Sequence, residues 1–168
     1  MGIKRLAIGA AASVGTLALM GAGIANAVIA DPAPGSNFTM CGTVYADSTS
    51  TTAADSHPAP DSGIPDSATL VKNVKVEGTL FRSSGATAAT YSATTDANGA
   101  FCFTGNLSMP PIIANGGHVA FSATTLPSPY TTVVSTSHAG IIDSSAFANH
   151  QVGGLLSTKA TGFNILVS

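Results

Sequence analysis

Four histidines, two cysteines and eight carboxylates are the side chains here that can bind metal, move protons or attack a substrate. The histidines stand at 57, 118, 138 and 150, and none lies two or four positions from another. A metal centre needs three or four converging ligands, and short-range histidine spacing is a common trace of one. That trace is missing. His57 therefore reads as a loop residue, His118 as the first residue of a strand, and no residue is assigned as a metal ligand. A serine nucleophile would announce itself through an elbow such as G-x-S-x-G, and none is present. Glycoside chemistry needs two carboxylates on rigid elements. Asp31, Asp47, Asp55, Asp61, Asp66 and Asp96 fall in loops or turns, Asp143 lies in an ambiguous stretch, and Glu77 has no evident partner. The loop aspartates 47, 55, 61 and 66 lack the D-x-D spacing of a calcium loop. No residue is assigned as catalytic or cofactor-binding, and the chain is not expected to be an enzyme.

The two cysteines carry a firmer message. Lys4-Arg5, the uncharged run Leu6 to Ile24 and the motif Ala25-Asn26-Ala27 have the form of a secretory signal cleaved after residue 27. Two cysteines in an exported chain are expected to pair, and neither sits in a redox or zinc motif. Cys41–Cys102 closes a loop of about 60 residues, for which chain entropy gives about 4 kcal/mol. The product beyond the signal holds Lys72, Lys75, Arg82 and Lys159 against the eight acids, a net charge of −4. With no basic patch to neutralise phosphates, nucleic acid is excluded as a partner. Abundant alanine, threonine and glycine with few lysines point to a high-GC bacterium.

These residues sit on short extended segments. Residues 28–37 contain proline and glycine and read as a flexible leader. Phe38 to Ala46 alternates, with Phe38, Met40, Gly42 and Val44 on one face and Thr39, Cys41, Thr43 and Tyr45 on the other. Residues 47–67 are rich in Ser, Thr, Asp and Pro and read as a long surface loop. Leu70 to Phe81 is the best long strand. Thr87 to Thr95 is a polar strand around Tyr91. Asp96-Ala97-Asn98-Gly99 forms a tight turn, with Asp96 capping it, that feeds a buried strand over Ala100 to Phe103. Met109-Pro110-Pro111 reads as a breaker. His118 to Thr125 alternates again, Tyr130 to Thr136 is β-branched, and Ser144–Ala148 is the place for a short helix. Val152 to Leu156 is a weak strand. Thr161 to Val167 ends the pattern, with Phe163, Ile165 and Val167 on one face.

Seven or eight short strands with frequent turns predict an all-β fold, a small antiparallel β-sandwich forming one domain over 38–168. Cys41 and Cys102 lie opposite the larger apolar residues of their strands. The bridge is therefore expected between strands on the outer face or under a loop, not as a pin between sheets.

The segment Val74 to Phe103 resembles carboxypeptidase regulatory-like and Cna-B-type modules, which share a transthyretin-like (prealbumin) sandwich. Val74-Lys75-Val76-Glu77-Gly78-Thr79-Leu80 is similar to the family's second strand. Thr94-Thr95-Asp96 with Gly99-Ala100-Phe101 is similar to its T-D-x-x-G-x-F hairpin, and Pro129-Tyr130 falls where a tyrosine-bearing strand is common. The resemblance implies a transthyretin-like sandwich. Some Cna-B modules join a lysine to an asparagine; Lys72 and Asn164 are the formal candidates here, but no acid is placed to catalyse the bond. The loop at 47–67 and the length beyond Tyr130 depart from the pattern.

The expected function is that of a secreted or cell-surface, non-catalytic module. It would act as a cell-envelope, adhesion or assembly component on an unidentified envelope or protein partner, with no cofactor. Two alternatives stand beside it. One is a small secreted enzyme or ligand-binding protein with a loop-built site. The other is an outer-membrane pore or channel subunit, against which the strands are short for spanning a bilayer. Membrane association after signal cleavage is not expected.

Overall fold

The computed structural model describes residues 28–55, 63–154 and 157–168. The expected signal segment, His57 and Asp61, and the end of the strand expected at Val152 to Leu156 lie outside the described residues. The elements in chain order are β1 (Val28–Ile29), β2 (Thr39–Ala46), β3 (Ile64–Pro65), β4 (Thr69–Leu70), β5 (Lys75–Phe81), β6 (Thr87–Thr94), β7 (Ala100–Thr104), α1 (Met109–Ala114), β8 (His118–Thr125), β9 (Val133–Thr136), β10 (Ile141–Ile142), α2 (Ser144–Asn149), β11 (Lys159–Ala160) and β12 (Ile165–Val167). No helix among the described residues is long and apolar enough to cross a membrane.

Two sheets pack face to face, as period-two patterning requires. One is antiparallel, in the order β10-β8-β5-β6. The other is built on β2, whose neighbours are β7 and β4 along one edge and β11 and β12 along the other. Val76 and Leu80 of β5 and Val119 and Phe121 of β8 meet Met40 and Val44 of β2, Phe101 and Phe103 of β7, and Ile165 and Val167 of β12 in one apolar core. Burying each large side chain contributes about 1.5–3 kcal/mol, so this layer dominates the stability. The all-β sandwich is as the alternation predicted.

Several local expectations need correction. The β2 sheet is mixed, because β11 and β12 run parallel to β2. Both faces of β2 are buried: a second small core of Tyr45, Ala53, Ile64 and Leu166 covers its other face. The loop at 47–67 is therefore more than surface, since Ala53 and Ile64 fold back under it. The leader is held as well: β1 pairs with β3, and the Pro32 carbonyl accepts a hydrogen bond from the Thr161 hydroxyl at 2.6 Å.

The long strand expected over Leu70 to Phe81 is broken. Asn73 adopts a φ of 62°, so Leu70 pairs with Tyr45 in one sheet while Lys75–Phe81 runs in the other. Thr95 fixes this crossing by accepting from the Val74 N–H at 2.9 Å and donating to the Val71 carbonyl at 2.8 Å. The turn at Asp96–Gly99 does not close a hairpin, because β6 belongs to one sheet and β7 to the other. It is an inter-sheet corner. Asp96 accepts from the Asn98 and Ala100 N–H groups, and Gly99 takes the positive φ of 68° where a Cβ would strike the Val44 carbonyl. The prolines after Met109 start α1 instead of breaking a strand, since proline fits the first turn of a helix.

The disulfide falls where expected. Cys41 and Cys102 sit directly opposite each other in the β2–β7 ladder, with Cys41 buried and Cys102 exposed. Lys72 is exposed, while the Asn164 amide is buried and engaged elsewhere.

Candidate functional site

The ladder along the β11–β12 edge of β2 has a gap, and that gap organises the chemistry. Between β11 and β12 the chain leaves the ladder at 161–164. Gly42 makes the close approach of Phe163 feasible: a Cβ at residue 42 would lie 1.7 Å from the Phe163 carbonyl oxygen. Asn164 fills the gap with its side chain, its Oδ1 accepting from the Thr43 N–H at 3.0 Å. Its Nδ2 donates to the Ala54 carbonyl at 3.0 Å, and the Ala54 N–H donates to the Tyr45 hydroxyl at 2.7 Å. Asp55 then bridges to Phe163. A polar loop is thus docked by two residues of the core sheet.

The opposite flank arrives by similar means. Ser137 exchanges backbone and side-chain hydrogen bonds with Asn164, which places His138 beside Phe163. His138 and Ala139 both hold positive φ, 51° and 52°, ahead of Gly140 at 75°. The chain next forms α2, whose N-cap Asp143 accepts from the Ala146 N–H at 2.8 Å. The helix ends at His150, which is completely buried and stacks on Phe163 with centroids 4.5 Å apart. The Thr161 N–H donates to the His150 carbonyl at 3.0 Å.

Asp55, His138 and His150 therefore converge. His150 Nε2 lies 2.8 Å from Asp55 Oδ1 and 2.7 Å from His138 Nε2, and His138 Nε2 lies 3.3 Å from Asp55 Oδ2. Asp55 Oδ1 is itself buried, although its side chain as a whole is 47% exposed. His138 opens onto a shallow cleft of about 210 Å³ lined also by Ile141, Asp143 and Asn149. Such a cluster can hold a cation or pass a proton between imidazoles.

The remaining sequence candidates stay apart. His118 packs against Phe81 at a tilt, with centroids 5.3 Å apart, in the other sheet. Glu77 pairs with Lys75 at 2.6 Å on the exposed face of β5. A larger cleft of about 640 Å³ lies over the disulfide, lined by residues including Ile29, Pro32, Leu70, Asp96 and Cys102, but Asp96 is committed to its turn. The sequence alone marks none of the histidines as a site residue. His138 and His150 are 12 positions apart, separated by a tight turn, β10 and α2, and only the fold returns them to one point.

No protein-family model matches this chain, and no curated protein matches it. Among solved structures, the crystal structure of the major plantain pollen allergen Pla l 1 is similar at 11% identity and a TM-score of 0.41, over 78% of this chain and 90% of that one. A likeness of that degree carries no argument about this chain.

Proposed function

We propose that this chain is an exported, non-catalytic β-sandwich of the bacterial envelope that acts through its surface, in adhesion or assembly, with a transthyretin-like ancestry. The observation that supports this is strand β6. It stands at the edge of its sheet, pairs only with β5 among the described residues, and runs for eight residues without a charge or a proline, with one register shift at Ala88 near its start and a regular ladder from Ala89 to Thr94. Proteins usually protect such edges with lysines, prolines or bulges, because unpaired N–H and C=O groups recruit another strand. Beside it, Thr79, Thr90, Ser92 and Ser122 form a level hydroxyl-rich face with one compensated ion pair, Lys75–Glu77. An uncharged edge next to a polar face fits strand addition by a protein partner or a second copy.

The test is to express the full chain with and without Thr90→Lys and Ser92→Lys, exposed positions on that strand. The wild type is expected in the extracytoplasmic fraction with its cysteines oxidised, in assemblies or envelope complexes that the double variant loses. Cytoplasmic protein with free thiols, or complexes unaffected by the two lysines, would overturn the reading. The alternative of a ligand-binding protein with a loop-built site has one observation in its favour, the placement of Asp55 between two histidines.

A further inference from the structure

We propose that Asp55, His138 and His150 bind a divalent first-row transition metal, with Zn²⁺ the ion that suits the donor set best. The first support is the hydrogen count. His150 Nδ1 lies 2.6 Å from the Thr161 carbonyl oxygen, which can only accept, so Nδ1 carries the hydrogen. In neutral His150 the other nitrogen, Nε2, then presents a lone pair. It presents it to a carboxylate oxygen at 2.8 Å and to a second imidazole nitrogen at 2.7 Å. Electron-rich atoms from three residues, all within 4.8 Å of one another, thus face a common point. A shared proton can occupy one side of that triangle. A metal ion satisfies every donor together.

The donor types select the metal. Two imidazoles and one carboxylate are too few and too soft for Ca²⁺ or Mg²⁺, which demand mostly oxygen shells. No thiolate is available for Cu(I), because both cysteines are bonded to each other. Two histidines and one acid, with open positions for water, match a zinc site of the open kind; the same donors also suit Fe²⁺, and redox-inert Zn²⁺ is the ion tested. Tetrahedral zinc with bonds of about 2.0–2.1 Å spaces its donors about 3.3 Å apart. The nearest separations are 2.7 Å between the imidazoles, 2.8 Å from His150 to Asp55 Oδ1 and 3.3 Å from His138 to Asp55 Oδ2, so side-chain rotation must open the closest pairs by about half an ångström and bring one carboxylate oxygen to both rings.

The surroundings are those of a supported site. The Thr161 carbonyl fixes the tautomer and ring plane of His150, as outer partners of metal-bound histidines do. Phe163 packs against His150 at 4.5 Å and His138 at 6.2 Å. His138 and Asp55, 24% and 47% exposed, give solvent and metal a way in, while His150 anchors the base. The left-handed backbone at His138 and Ala139 is unfavourable for non-glycine residues, by about 1–3 kcal/mol each, and it holds the His138 ring over the cluster. A bound metal would fasten the loop at Asp55 to the segment 138–150, whatever the role of strand β6.

The test uses the full chain as purified after expression, stripped with EDTA and titrated with ZnCl₂ by calorimetry and with Co²⁺ by visible absorption. Asp55→Asn and His138→Gln change partly exposed donors, and His118→Gln serves as a control away from the site. Circular dichroism first verifies that each is folded. One Zn²⁺ per chain is expected, with affinity at least about tenfold weaker in each donor variant and the Co²⁺ d–d bands lost. The control should match the wild type. Absence of saturable Zn²⁺ binding by the folded wild type would overturn the proposal. So would unchanged affinity and unchanged Co²⁺ spectra in the folded donor variants.

Discussion

Along one edge of β2, Cys41 and Cys102 face each other in adjacent strands; along the other, Asp55, His138 and His150 meet through Phe163, Thr161 and Asn164. The first link joins two residues already placed by the ladder, and one covalent bond completes it. The second joins three segments with no ladder between them. It depends on a buried amide and a backbone approach that only Gly42 permits. The covalent side is robust to loss of any one neighbour. The polar side is a chain of dependencies, in which each buried hydrogen bond holds the next in place.

Three perturbations separate the two sides, in decreasing order of effect. Cys41→Ala with Cys102→Ala removes a closure spanning 61 positions and should lower stability by about 4 kcal/mol, read as a shifted urea midpoint. Zn²⁺ affinity should change little, because β2 and β7 remain paired. Asn164→Ala orphans the buried Thr43 N–H and the Ala54 carbonyl, for a loss of about 3 kcal/mol. Its signature is local: hydrogen exchange should accelerate at Ala54 and Ser137 while the β5–β8 amides stay protected. If exchange rises evenly across both sheets, Asn164 is a general core residue and the contrast fails.

The smallest effect is at high pH. Burial pushes the Tyr45 hydroxyl above its usual value, with the nearby Asp47 charge adding to this and the Ala54 N–H opposing it. The folded state thus favours the neutral phenol. This contribution is whole below the unfolded value of about 10 and is lost as pH climbs through the higher folded value. A spectrophotometric tyrosine titration should show late components from Tyr45 and from Tyr91, which burial also raises; the part that Tyr45→Phe removes is assigned to Tyr45, and its loss in Asn164→Ala would tie that phenol to the same docked loop.

How much of this was legible follows from the range of the forces involved. Strands β2, β6, β7 and β8 follow from alternation within a few residues, and Phe101, Phe103, Val76 and Phe163 are buried as the pattern requires. The disulfide was legible because two cysteines allow one pairing and the expected signal segment made an oxidising compartment the expectation. Sheet membership was not legible. Leu70 and Lys75 belong to different sheets through one left-handed residue, Asn73, and Thr95–Gly99 turns a corner with residues that equally suit a hairpin. The histidine cluster was hidden for the same reason. Its three members lie on a loop, a tight turn and a helix end, and what unites them is the side chain of Asn164, whose type alone does not announce a hub.

The parallel pairing of β2 with β12 has a kinetic corollary. Thr43 and Asn164 are 121 positions apart, yet each completes the other's hydrogen bonding. No run of residues much shorter than the whole domain can therefore assemble the interior, and folding must await the late segment. High contact order of this sort slows folding. For a chain exported as proposed, that delay would be an advantage: the polypeptide would stay threadable until β12 arrives to lock β2.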